Sequence, residues 1–204
     1  MDELRTFCVR MLGDEPAAAV VEQARAAGAA DPADRLATLR AAVAACRQGA
    51  EAGADPIPPP ARAPVGEGTD LAGAVARELA GATGRMAASE REALALRDLL
   101  GLSHEEIATV AGLSAPDVAL LLARSRLELR TQLRGASAPV PECPERERAL
   151  RTIALRQDGE AVAPPDDEWL IEHLGHCAGC SQAHASMLEA VACYRAWDAA
   201  PAAA

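Results

Sequence analysis

Apolar side chains recur every three to four positions along three stretches of the chain, and proline-rich breaks separate those stretches. In "LSHEEIATVAGLSAPDVALLLARSRLELRTQLR", Ile107, Val110 and Leu113 make one short apolar face, expected to pack against Val118, Leu122 and Leu129 on a longer one. Ser103 followed by Glu106 is a capping-box pattern, in which hydroxyl and carboxylate satisfy each other's free first-turn amides. Ser114 and Asp117 repeat that start signal after Gly112 has ended the first helix. Two capped helices around a tight glycine turn predict a helix-turn-helix unit; on spacing alone an ordinary helical hairpin is the lesser alternative.

Upstream, "FCVRMLGDEPAAAVVEQARAA" (7–27) and "ADRLATLRAAVAACRQ" (33–48) predict a short helical unit with an Ala-rich core. Downstream, "CPERERALRTIALRQDGE" predicts one helix. "SQAHASMLEAVACYRAW" then sets Met187, Val191, Tyr194 and Trp197 in one stripe of an amphipathic helix too short to stand alone. "EAGADPIPPPARAPVGEG" cannot remain helical through Pro56, Pro58, Pro59 and Pro60. The resulting organisation is a helical segment 1–50, a Pro/Gly/Ala-rich linker 51–68, a helix-turn-helix segment 69–134, a short linker 135–142 and a C-terminal segment 143–204.

Composition narrows this to an all-α fold. Half of the 204 residues are apolar, but many are Ala, so a core must come from small side chains on closely spaced helices. Ala, Leu, Arg and Glu favour helix, and β-branched residues are sparse. Every basic residue is Arg, and the aromatics are Phe7, Trp169, Tyr194 and Trp197. A net charge of −10 argues against a general nucleic-acid binder. The acidity is concentrated late, with eleven acids against five arginines over 135–204.

No uncharged run approaches the roughly 18 apolar residues of a membrane span. "MDELRTFCVR" lacks a basic start followed by an apolar stretch, so the expected location is the cytoplasm, with no membrane association. There, six cysteines favour metal binding or burial over disulfides. No Ser/His/Asp or Cys/His/Asn set and no phosphate-cradling glycine loop is evident, so an enzyme is not expected.

The candidate chemistry lies in "HLGHCAGC". On a helix, His173, Cys177 and Cys180 fall at i, i+4 and i+7, so three donor atoms converge on one side. Zinc favours four tetrahedral N/S ligands, and Cys143, thirty residues upstream at the head of another predicted helix, offers the fourth. His176 competes as a ligand, being one turn from Cys180, and Cys-x-x-Cys alone also suits a redox pair. Cys8, Cys46 and Cys193 read as small buried apolar residues, and His104 and His184 as solvent-facing.

"REALALRDLLGLSHEEIATVAGLSAPDVALLLARSRLELR" (91–130) resembles the promoter-recognition region four of bacterial sigma factors, especially the extracytoplasmic-function group. "RDLLGLSHEEIA", the "GLS" turn, Val118, Leu122 and the Arg124/Arg126 pair carry the likeness. It implies a second helix that reads an upstream promoter element and a module that contacts RNA polymerase. This sequence departs at Ala119, Leu120 and Leu121, where the family places residues aimed at phosphates and bases. Readout needs donors and cations, so weakened DNA binding and a protein contact at Ala119, Leu120, Leu121, Arg124 and Arg126 are expected. Arg130 and Arg134 extend the basic edge.

"FCVRMLGDEPAAAVVEQARAA" is similar to the opening of sigma region two, in degenerate form. Promoter melting needs aromatic platforms for flipped bases, and none lies between Phe7 and Trp169. "C…QDGE…EHLGHCAGC" resembles the zinc-binding anti-sigma domain, and that likeness makes Cys143, His173, Cys177 and Cys180 ligands of a structural Zn2+.

The two resemblances imply a transcription-initiation regulator acting through RNA polymerase or a sigma factor. They also fit a working sigma factor with an autoinhibitory zinc domain; a zinc-stabilised interaction module outside transcription is the remaining reading. The Met187, Val191, Tyr194 and Trp197 stripe suits a contact surface or else seals the zinc domain's own core. The C-terminal segment is expected to dock on the Leu120/Leu121 face and cover it, favoured by a linker short enough for millimolar local concentration.

Overall fold

The computed structural model describes residues 3–12, 14–28, 35–51, 71–136 and 142–198. Among these residues the protein is all-helical. The order is α1 (Glu3–Leu12), α2 (Asp14–Gly28), α3 (Arg35–Glu51), α4 (Leu71–Gly84), α5 (Ala88–Leu94), α6 (His104–Ala111), α7 (Ala115–Arg134), α8 (Arg146–Gln157), α9 (Pro164–His176) and α10 (Ala178–Asp198). α5 runs without a break into a π-helical turn, Ala95–Leu99. The 51–68 linker lies outside the described residues apart from Glu51, as do residues 137–141 of the second linker.

The capping chemistry sets the helix-turn-helix. Ser103 Oγ accepts from the Glu106 amide at 3.2 Å, while the Ser103 amide donates to Glu106 Oε2 at 2.8 Å. Ser114 Oγ accepts from the Asp117 amide at 3.3 Å and starts α7. Gly112, at φ +74°, takes the left-handed conformation that stops α6 without a Cβ penalty. The axes of α6 and α7 bend by 96° across this turn, within the range of helix-turn-helix units.

Three apolar clusters surround α7, and each joins more than one of the segments separated by proline. The first combines Phe7, Cys8 and Met11 of α1, Val20 and Val21 of α2, and Leu39, Val43 and Cys46 of α3 with Leu96, Leu102, Ile107, Val110, Val118 and Leu122. The second sets Ala119, Leu120 and Ala123 of α7 against Ala149, Leu150 and Ile153 of α8, with Leu170, Cys180 and Met187. The third joins Leu79 and Ala82 of α4, Met86, Leu94 and Leu129 to Ala190, Tyr194 and Trp197 of α10.

Two packing expectations need correction. Leu113 is exposed, because it follows left-handed Gly112 and leaves the face shared by Ile107 and Val110. Leu129 belongs to the third cluster, since α7 is long enough for its end to pass beyond α6 and meet α4 and α10.

The N-terminal helices are tied down by arginines as well as by packing. Arg40 of α3 donates to the Thr109 carbonyl of α6 at 2.8 Å and 3.2 Å. Arg47 forks onto buried Glu92 at 2.7 Å and 2.9 Å. Arg10 of α1 lies 3.5 Å over the Trp197 ring of α10.

Phe7 is wholly buried at the seam between α1 and the helix-turn-helix. Phe7→Ala should cost about 3–5 kcal/mol, read as a lowered midpoint in denaturant unfolding that includes α6 and α7. An independent N-terminal unit would instead melt alone.

Candidate functional site

The middle of α7 holds an unusual charge. Arg126 is the largest fully buried side chain, with no exposed surface. Its guanidinium is bracketed by two carboxylates: Nη2 meets Asp98 Oδ1 at 2.8 Å and Asp158 Oδ1 at 2.7 Å. Nε and Nη1 complete the pairing to the second oxygens, each at 3.2 Å. Such forked geometry is what makes a buried ion pair tolerable, because each lone pair lost to water is replaced.

Asp98 sits on the π turn, but Asp158 comes from the C-terminal segment. There α8 ends in a Schellman motif: the Glu160 amide donates to the Leu155 carbonyl at 2.9 Å and the Gly159 amide to Arg156 at 3.3 Å. Gly159 adopts φ +69°, which only glycine accepts without strain. The turn presents Asp158 and Glu160 to the helix-turn-helix. His104 Nε2 lies 2.8 Å from Asp158 Oδ2, Arg97 binds the Asp158 carbonyl, and the Arg97 guanidinium lies 3.3 Å from Asp158 Oδ1. Glu160 Oε1 accepts from the free amide of His104, at the first turn of α6, at 3.0 Å.

Burial alone would raise the Asp158 pKa. Hydrogen bonds from His104 and Arg126, with the charges of Arg126 and Arg97, outweigh burial and hold it at about 2.

The other arginines of α7 also meet acids of the C-terminal segment. Arg124 contacts Glu147 of α8 at 2.6 Å, and Arg130 and Arg134 reach Glu189 of α10 at 3.5 Å and 3.1 Å. The expected phosphate-facing edge is therefore corrected at Arg126, which is interior. Ala119 and Leu120 are buried under α8, whereas Leu121 turns to the cluster shared with the N-terminal helices.

The stripe on α10 divides along its length. Met187 fills the core around Cys180, Val191 is half-buried, and Tyr194 and Trp197, edge to face with each other, share a cluster with Leu79 and Ala82 of α4. In the structure α8 and Met187 of the C-terminal segment pack with Leu120, whereas Leu121 faces the N-terminal helices, so the expected docking on Leu121 is corrected.

The cysteine-histidine residues converge. Donor atoms of Cys143, His173, Cys177 and Cys180 all lie within 4.8 Å of one another, with Cys143 Sγ and His173 Nε2 3.5 Å apart. Donors at about 2.0–2.3 Å around a tetrahedral zinc stand roughly 3.3–3.8 Å apart, so this edge fits that ion. The helical stripe expected for 173–180 is corrected, because α9 ends at His176 and Cys177 is extended at φ −105°, ψ 97°. Cys180 lies in the first turn of α10, which begins at Ala178, and its Sγ stays within 4.8 Å of the His173 donor. His176 is exposed and outside the group.

Neighbours hold the donors in place. Trp169 stacks on the His173 ring at 4.7 Å, and the Arg148 guanidinium lies over that indole, 4.0 Å from its centroid. The amide of Cys180 lowers the Cys177 thiol pKa, while burial and the sulfurs of Cys177 and Cys143 push Cys180 up to about 12. Thiols crowded in an apolar core resist ionising together unless a cation is shared among them. The donor set fits Zn2+.

Cys8 and Cys46 are buried, and Cys193 is half-buried beside the third cluster. His104 does not face solvent: it is 2% exposed, drawn in by Asp158. Asp98, His104, Asp158 and Glu160 escaped the sequence reading. The only available signal was the "QDGE" turn, an acidic pair on a tight glycine bend.

A family model for sigma-70, region 4, matches residues 76–129, running from α4 into α7. That family is a transcription-factor module and not an enzyme. No curated protein and no solved structure matches the chain. No single described helix is long and apolar enough to cross a membrane.

The purified chain should bind one zinc per molecule by elemental analysis; His176→Ala should retain it, and Cys180→Ser should lose it. The depressed pKa of Asp158 contributes stability that is full above its unfolded value near 4 and lost as pH falls toward about 2. The stability advantage of the wild type over Asp158→Asn should accordingly shrink as pH falls from about 4 toward about 2, measured by urea unfolding.

Proposed function

We propose that the protein regulates transcription initiation as a sigma-factor-like chain of the extracytoplasmic-function type, with a zinc-binding anti-sigma-type domain fused behind it. It acts through RNA polymerase or a sigma factor. The boundaries are those read from the sequence: a degenerate region-two-like segment 1–50, a region-four-like unit 69–134 and a zinc domain 143–204.

The covered state of α7 carries the reading. A promoter reader needs exposed donors and cations on its second helix. Here Ala119, Leu120 and Ala123 lie beneath α8, and Arg124, Arg126, Arg130 and Arg134 all meet acids of the C-terminal segment. Zn2+ on Cys143, His173, Cys177 and Cys180 would join α9 and α10 to the head of α8, making metal binding part of the folding of that cover. The N-terminal helices lack aromatic platforms between Phe7 and Trp169, so strand opening falls to another protein.

A second reading, a working sigma factor held shut by its own zinc domain, draws on the surviving row Arg124, Arg130 and Arg134. These guanidinium groups are paired near the surface and remain chemically suited to phosphate.

Purified zinc-loaded chain should bind core RNA polymerase or a sigma factor in biolayer interferometry. It should show no sequence-dependent binding to promoter-length duplexes tighter than about 10⁻⁵ M. Absence of binding to both protein partners defeats the proposal, and specific duplex binding by the full chain replaces it with the second reading.

A further inference from the structure

We propose that the Asp158–Gly159–Glu160 turn is a latch, locking the C-terminal helices onto α7 through the buried charge of Arg126. The closed arrangement is a fact of the geometry; its meaning as control over α7 rests on the reading above.

Three kinds of contact hold α8 and α10 to α7, and they are not equal. The apolar contacts, of Ala119, Leu120 and Ala123 with Ala149, Leu150, Ile153 and Met187 and of Leu129 with Tyr194 and Trp197, carry little directionality. The pairs Arg124–Glu147 and Arg134–Glu189 are exposed, with Arg124 and Glu147 at 56% and 61%, so salt screens them and their net contribution is small. The Asp158 contact differs. It is 1% exposed and engages side chains from three elements: Arg126 of α7, His104 of α6 and Arg97 of the π turn.

Charge balance makes this contact obligatory for the closed form. Without the C-terminal segment, Arg126 keeps Asp98 but loses Asp158, Arg97 loses both Asp158 and Glu160, and the first-turn amide of His104 loses Glu160. Removing Asp158 therefore leaves a buried cation half-answered, which strongly destabilises an ion-pair site. The helix-turn-helix has an interior charge whose complement arrives from another part of the chain. Opening must let water reach Arg126, so the latch opens as a unit and not by gradual sliding.

The test uses full-length zinc-loaded protein and hydrogen exchange read by mass spectrometry. Asp158→Asn should raise amide exchange over residues 115–125 of α7 at least tenfold while one zinc per chain is retained. The rim variant Glu147→Gln with Glu189→Gln should change it less than twofold, and wild type should stay closed in both 0.1 M and 0.5 M salt. Unchanged exchange in Asp158→Asn, or equal opening by the rim variant, overturns the latch.

If Asp158→Asn loses zinc and helicity together, Glu160→Gln decides. That variant keeps Asp158 but removes the carboxylate at His104 and Arg97, and should raise exchange severalfold; no rise overturns the proposal. Fluorescence anisotropy of an opened variant on a 20-base-pair duplex separates the two claims. Opening without DNA binding upholds the latch and counts against α7 as a hidden DNA-binding helix.

Discussion

A guanidinium with no access to water, held between one carboxylate 28 residues before it and another 32 residues after it, organises this protein. Arg126 can be buried only if Asp98 and Asp158 are both in place, and Asp158 is in place only when α8 has ended in its glycine turn and lies along α7. Apolar clusters supply most of the burial, but small Ala and Leu side chains specify register weakly. A fully paired ion network fixes one arrangement among several that an Ala-rich interface would tolerate. In this protein specificity of docking comes from charge and cohesion from the apolar faces.

The helix-turn-helix was legible because its signals are local. Ser103, Glu106, Gly112, Ser114 and Asp117 act within one turn of themselves, so sequence spacing and spatial geometry coincide. The cluster of Cys143, His173, Cys177 and Cys180 was legible for a related reason: three sit within eight residues, and the fourth precedes the adjoining helix. The break at Cys177 was not, since flanking Gly175 and Gly179 only permit a bend without dictating it.

The packing of the parts on one another was much less readable. A pattern of apolar positions says that a face is buried but not which element buries it. Leu120 and Leu121 are neighbours in sequence, yet they face different clusters, one from the C-terminal helices and one from the N-terminal helices. His104 illustrates the same limit. At the start of a helix it looks solvent-bound, and only the arrival of Asp158 from 54 residues away makes its burial favourable. The acidity of the tail was visible as a total, whereas its matching to individual arginines of α7 is a property of three-dimensional placement.

The clasp between Arg10 and Trp197 carries a consequence for how the molecule comes into being. Synthesis proceeds from the first helix to the last, so the indole that covers Arg10, the carboxylate that answers Arg126 and the side chains that cover Leu129 all emerge after the helix-turn-helix. On the ribosome α7 passes through an interval before the acids of the C-terminal segment can reach its arginines, with its apolar flank wet. During that interval the nascent chain presents a different surface to its surroundings from the finished one, and whatever meets α7 first competes with the chain's own last helix.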